Sequence, residues 1–276
     1  MSTVLDYSLS TTKSPANLPV TLIECKKQCE VALSDTAHDA HLLRLARAAT
    51  AKVENDSRLR LICQTITQRL DWWPNECGIV LRAAPLLAIN SVKYVDTDGA
   101  TQTWAAANYT VDIYRGRPVI WTAYNVDWPS GSTRSQANAV IIEAVCGFGD
   151  VVTASAADNT LTPTSGTYTD RDMVQLSNYG GALPAGLGAG KTYYVMNAGT
   201  TFQLATSDYG QPIDITGAGT GVHLVDAPPD EAKQAILLLV SHWFETREPE
   251  IIGSGASSVG LTYHALIHSL RPGYYP

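Results

Sequence analysis

Charge is scarce in this chain. Charged side chains make up only 16% of its 276 residues, and Gly, Thr, Ser and Ala fill the space. That bias suits β-rich surfaces of the extracellular or virion type. The net charge is −7 with no large basic patch, which argues against tight binding to a phosphate backbone. The apolar run Ala235–Val240 is far short of the roughly 20 residues that a membrane helix needs. The N-terminal stretch 1–17 is polar and has no apolar h-region, so it reads as a flexible arm and not as a secretory signal. Cysteines are few and odd in number: Cys25, Cys29, Cys63, Cys77 and Cys146, with no CxxC pair. They read as reduced, mostly buried thiols, not as disulfides or a zinc site.

Hydrophobic residues reach 45%, enough for a substantial core. The strongest local signal lies late in the chain, from Pro228 to Pro249. Proline suits a first helical turn, Asp230 and Glu231 face the positive end of the helix dipole, and Arg247 faces the negative end. Ala232, Ile236, Leu239, Val240 and Trp243 recur at helical spacing, with Leu237 and Phe244 on a flank, so the helix is expected to be buried on more than one side. Trp243 is expected in the core where this helix meets two earlier ones. Thr21 and Glu24 form a capping box for a first helix over 22–32, its inner side being Leu22, Cys25, Cys29 and Leu33, with Lys26, Lys27 and Glu30 outside. Leu42, Leu45, Ala46, Ala49 and Val53 predict a second helix over 37–54.

The period then changes. Strands are expected over 59–68, 79–81, 89–95, 101–104, 109–113, 119–121 and 139–146, with Asp98-Gly99 as a hairpin turn. From 151 to 225 the composition shifts abruptly: one Lys, one Arg, no Cys and no Trp. Short strands over 173–176, 192–196, 202–205 and 213–215 make this a small all-β block inserted into a host. The fold class that follows is α+β: a helical host domain with a β-rich middle region, interrupted by a small all-β insertion domain before the long final helix. The expected units are the arm 1–17, a discontinuous host 18–150 plus 226–252, the insert 151–225, and a linker and tail 253–276.

Catalytic and metal motifs fall short. Ala185 to Thr192 mimics a phosphate-binding loop, but Ala185 stands where its first glycine belongs, and a strand follows where a helix is needed. His264 and His268 have zinc-helix spacing without a catalytic Glu or a third ligand. His38 and His41 fit a solvated helix surface. Gly255-Ala256-Ser257-Ser258-Val259 lacks the second Gly of a nucleophile elbow. The six tryptophans read as core and interface anchors. The tail, by contrast, has a pattern: a Gly/Ser tether over 253–258, then Leu261, Tyr263, Leu266, Ile267, Leu270, Tyr274 and Tyr275, with Arg271 as a planar donor. This predicts a docking peptide, the other reading being a tail folded back on its own subunit.

Taken in order, several stretches resemble the head–tail connector (adaptor) family of tailed bacteriophages. They are Pro19-Val20-Thr21-Leu22-Ile23-Glu24-Cys25-Lys26, the Ala-rich run from Leu43 to Val53, and Leu70-Asp71-Trp72-Trp73-Pro74. Then come Ile79 to Leu86, Ser91 to Gly99, the Pro229–Glu248 helix, and Leu270-Arg271-Pro272-Gly273. Residues 151–225 stand where that family has a short loop, and resemble a small β module of phage virion proteins. The resemblance implies a structural virion protein without catalytic activity or cofactor, and a homo-oligomeric ring of twelve copies in the neck. It would bind the portal protein and a tail-side neck or tail-terminator protein, pass DNA non-specifically through its lumen, touch no membrane, and occupy the host cytoplasm during assembly. The resemblance also implies that Leu261, Tyr263, Leu266, Leu270, Arg271, Tyr274 and Tyr275 contact the portal or a neighbouring subunit. Two other readings are a carbohydrate- or host-surface-binding virion protein in which 151–225 is the binding module and, more remotely, a cell-wall hydrolase.

Overall fold

The computed structural model describes residues 7–74, 78–113, 117–246 and 257–271. Thr21 caps α1 (Leu22–Gln28) through the reciprocal box with Glu24. The helix is shorter than its spacing suggests: Glu30 turns into the left-handed region at φ 54°, and Leu33 ends up exposed. Lys26, expected outside, is buried. Its Nζ donates to the carbonyls of Leu33 and Asp35 and lies 2.6 Å from Asp39, tying the end of α1 to the start of α2 (Asp39–Ser57). Along α2, Leu42, Ala46, Ala49 and Val53 are fully buried, as their spacing requires.

α3 (Asp230–Glu245) begins after Pro229 and buries Ala232, Ala235, Ile236, Leu239 and Val240 against α1 and α2. Lys233 pairs with Glu24 across the α1–α3 contact at 2.9 Å. Trp243 packs against this cluster but stays partly exposed, so it is a border residue and not a core one. Arg247 and Pro249 lie outside the described residues. α3 is not the last helix. α4 (Ser257–Leu270) follows and packs on α3 and α2, so Ser257 and Ser258 belong to a helix and not to a tether.

The β part is larger than expected. The arm is not free: β1 (Tyr7–Lys13) pairs antiparallel with β2 (Gln64–Leu70). The segment before β2, from Leu59 to Cys63, is buried but irregular, because Leu61 N–H is taken by Glu54 and Arg60 N–H by Ala84. With β4 (Leu86–Val95), β5 (Thr101–Trp104) and β8 (Val140–Cys146), these strands form a five-stranded sheet in the order β1-β2-β8-β4-β5. Asp96 to Gly99 makes the β4–β5 turn, with Gly99 at φ 89°. A three-stranded sheet, β3 (Ile79–Val80), β7 (Val119–Thr122) and β6 (Tyr109–Asp112), packs on a cluster in which Trp73, Trp104 and Trp128 lie 5.0–5.5 Å apart. The chain outside 151–225 is thus mixed, a few helices gathered in one cluster and a large β-rich portion in another.

β9 (Gly149–Ser155), β10 (Thr160–Pro163), β11 (Met173–Tyr179), β12 (Thr192–Met196), β13 (Gln203–Ala205) and β14 (Val222–Asp226) form a separate sheet in the order β10-β9-β14-β11-β12-β13. Reciprocal hydrogen bonds between Leu161 and Phe202, 2.8 and 2.9 Å, join its two edges and close it into a small barrel. Tyr193, Phe202, Leu161 and Leu176 fill the interior. The strand expected over 213–215 is irregular, with Ile215 buried in this core and its N–H held by Asn159. Asn17, from the supposed arm, is buried against this barrel. It donates to Leu176 O and Asp226 and accepts from Gly190 N–H.

Candidate functional site

Residues 257–271 of the predicted docking tail pack on their own subunit. Tyr263 and Ile267 are buried in the helical cluster, and Leu266 and Leu270 pack against it. Tyr263 donates its hydroxyl to Asp56 at 2.7 Å, and Lys52 sits over its ring. Arg271 donates through Nε and Nη2 to Asp56 O at 3.1 and 3.0 Å. Partial burial opposes ionisation of Asp56, but the hydrogen bonds from Tyr263 and Lys52 and the charge of Arg271 outweigh it and lower its pKa. Burial, then the Asp56 carboxylate, pushes the Tyr263 hydroxyl up. Tyr263, Leu266 and Leu270 thus bury apolar surface on their own subunit, which is the folded-back reading of the tail. Leu261 lies on α4; Tyr274 and Tyr275 lie outside the described residues.

Where α4 ends, the fold assembles a site that sequence reading missed. A cleft of about 520 Å³ is lined by Arg58, Arg60, Arg82, Arg117 and Arg271, with Glu54 as its acid. Each element delivers one cation for a local reason. Arg58 terminates α2 in the left-handed region at φ 61°. Arg60 follows on the buried segment and stands 3.6 Å from Glu54. Arg82 lies over the ring of Tyr7 on β1, 4.6 Å from its centroid. Glu54 is held by Leu61 N–H at 2.8 Å and Gln64 at 3.1 Å. Burial raises its pKa, opposed by those bonds and by Arg60. These arginines span positions 58 to 271, so no local motif announces them.

The motifs weighed earlier have structural explanations. Gly188 N–H donates to the Tyr193 hydroxyl and Gly190 N–H to Asn17, so the amides of the phosphate-loop mimic are already used, and β12 follows as a strand. His38 and His41 are not merely solvated: both rings pack against Phe244 of α3. Burial, the largest effect, pushes Cys25 and Cys146 to about 12 and Cys63 to about 11, which leaves these thiols protonated and unreactive at neutral pH. Among the described residues no group of three His, Cys, Asp or Glu is placed to hold a metal. No described helix is long and apolar enough to cross a membrane. Exposed aromatics do stand out: Trp72, Trp121 and Tyr124, the last 92% exposed.

No family model matches the chain, and no curated protein matches it. Solved structures do. A chain in the virion of a native gene transfer agent particle superposes with a TM-score of 0.57 at 18% identity, over 96% of this chain and 95% of that one. A chain in the neck of a native gene transfer agent particle, computed with C12 symmetry, gives 0.53 at 18% over 96% of both. A third, in the neck of an empty particle computed with C6 symmetry, gives 0.53 at 17% over 96% of both. At such identity the likeness is one of fold.

Proposed function

We propose that this chain is a structural component of the neck of a phage-like particle, a head–tail connector without catalytic activity. It forms a ring of twelve copies between the portal protein and a tail-side neck or tail-terminator protein, with DNA passing through the lumen. The observation that carries the reading is the end-to-end likeness to a chain of a C12-symmetric neck, 96% of both chains being covered. The ordered sequence stretches that resemble the connector family support it independently. Net charge of −7 suits a wall along which DNA slides, since a basic lining would hold phosphate. Exposed Trp72, Trp121 and Tyr124 are the kind of side chain that a subunit interface buries. The test is native mass spectrometry of the purified protein, alone and with portal protein. A closed ring, or monomers that become a ring on the portal, is expected. A monomer that ignores the portal at every concentration would refute the reading.

A further inference from the structure

Beside the last turn of α4 opens an apolar groove of about 470 Å³. Leu59, Pro85, Phe148, Pro229 and Leu270 supply its walls, and Ile113, which lines it too, is 54% exposed. Glu231 and Ser269 are the polar groups in its described lining. A recess of this size and character favours an apolar occupant that carries a polar group or two. The chain itself leads to it. Arg271 closes the last turn of α4 through its N–H to His268 O, and two bonds to Asp56 O pin its side chain. The backbone therefore leaves α4 at a fixed point, directly after Ser269 and Leu270 of the groove. Pro272-Gly273-Tyr274-Tyr275-Pro276 follows in sequence. Pro272 does not continue a helix, and Gly273 permits a sharp turn. At no more than about 3.5 Å per residue, Tyr274 reaches up to ~10 Å from Arg271 and Tyr275 up to ~14 Å.

We propose that Tyr274 and Tyr275 of the same chain occupy this groove, with Glu231 as the acceptor for a tyrosine hydroxyl. Three observations favour the chain's own tail over a neighbour's or a portal protein. The tether is three or four residues from a pinned Arg271, so the effective concentration of the rings at the groove is high. Tyrosine joins an apolar ring to a polar tip, which suits apolar walls with one carboxylate among them. The contact also continues one already made: Tyr263, Ile267 and Leu270 of α4 lie against the helical cluster of their own subunit, and Leu270 belongs to both surfaces. The proposal extends the folded-back reading of the tail and does not rest on the ring, so each can fail without the other.

The experiment places the photo-crosslinker p-benzoylphenylalanine at position 274 and, separately, at 275 of the full chain, and irradiates the protein alone at low concentration. Adducts to Ile113, Phe148 or Leu270 are expected by peptide mass spectrometry, in a product that still runs as a single chain in denaturing gels. Ile113→Glu puts a charge into the groove and should cut the yield about ten-fold. Leu33→Glu, an equally exposed change outside the groove, should leave the yield intact. Should Ile113→Glu fail to fold, the position of the adducts in the unaltered groove decides alone. Adducts that join two chains would assign the groove to a neighbour's tail and overturn the proposal. So would adducts outside the groove, the absence of adducts, or an equal loss with Leu33→Glu.

Discussion

Deletion of residues 151–225 should leave a folded remainder, at a cost that follows from the structure. β9 and β14 are neighbours in register, Gly149 opposite Asp226 and Asp150 opposite Val225. Their ends are therefore about 5 Å apart, and a short Gly/Ser link can join Asp150 to Asp226 without straining the rest. The barrel is not merely tethered, however. Leu224, Val222 and Tyr179 cover Val145 on the five-stranded sheet and Cys63 just before β2, with Val145 only 1% exposed. At roughly 1.5–3 kcal/mol per fully buried side chain, uncovering these two costs about 3–6 kcal/mol as an upper estimate. Asn17 loses Leu176 O and Gly190 N–H as well, but water replaces them once it is exposed. A loss of this size lowers the melting midpoint by roughly 6–24 °C in a chain of this length. It leaves a folded remainder, because the tryptophan cluster and the helical cluster contain no residue of the barrel. The assay is thermal melting followed by near-ultraviolet circular dichroism, which reports on Trp73, Trp104 and Trp128. Loss of that signal together with cooperative melting would show that the barrel is part of the remaining core, and the reasoning would be wrong.

Tyr263→Ala should destabilise by about 3–5 kcal/mol in denaturant titration, as a buried aromatic leaves a cavity, and Tyr263→Phe by about 1–2 kcal/mol through the lost bond to Asp56. A negligible effect of Tyr263→Ala would free α4 for docking elsewhere. Trp243→Ala should cost less, about 2 kcal/mol, because the ring is only partly covered; a loss above ~4 kcal/mol would place it in the core. Asp226 is partly buried, and burial raises its pKa from the usual 3.8 to about 6 against the lowering hydrogen bonds of Ser177 and Asn17. The folded state then holds a proton that the unfolded state has released, so the contribution of this carboxyl should be full below about pH 4 and fall by roughly 2–3 kcal/mol as pH rises through about 6. Asp226→Asn should flatten that component and raise stability near neutral pH; an unchanged pH profile of unfolding would show that the carboxyl is ionised without penalty.

What the sequence revealed was local. The Thr21–Glu24 box, the α2 stripe, the Asp98-Gly99 turn and the bounds of β5 and β12 all depend on neighbours within a few residues. What it hid depends on partners far along the chain. β1 is a Ser/Thr-rich segment whose hydrogen bonds come from β2, more than fifty residues on, and its exposed side chains carry no apolar alternation. β9 and β14 sit at the composition boundary and exist because they pair with each other. Lys26 looked like a surface residue until the α1–α2 connection folded its carbonyls over the ammonium. The tail residues read correctly as too apolar for water, yet spacing alone could not tell a partner's surface from their own subunit's. The arginine cleft had no sequence signal, since it draws on α2, β1, the strand connections and the end of α4.

The central claim is a place in a particle, and immunogold electron microscopy of intact particles that carry this chain tests it most directly. With antibody raised against residues 151–225, gold should collect at the junction of head and tail, and particles assembled without the chain should separate into heads and tails. Gold spread over the capsid or gathered at the distal tip of the tail would contradict the neck assignment.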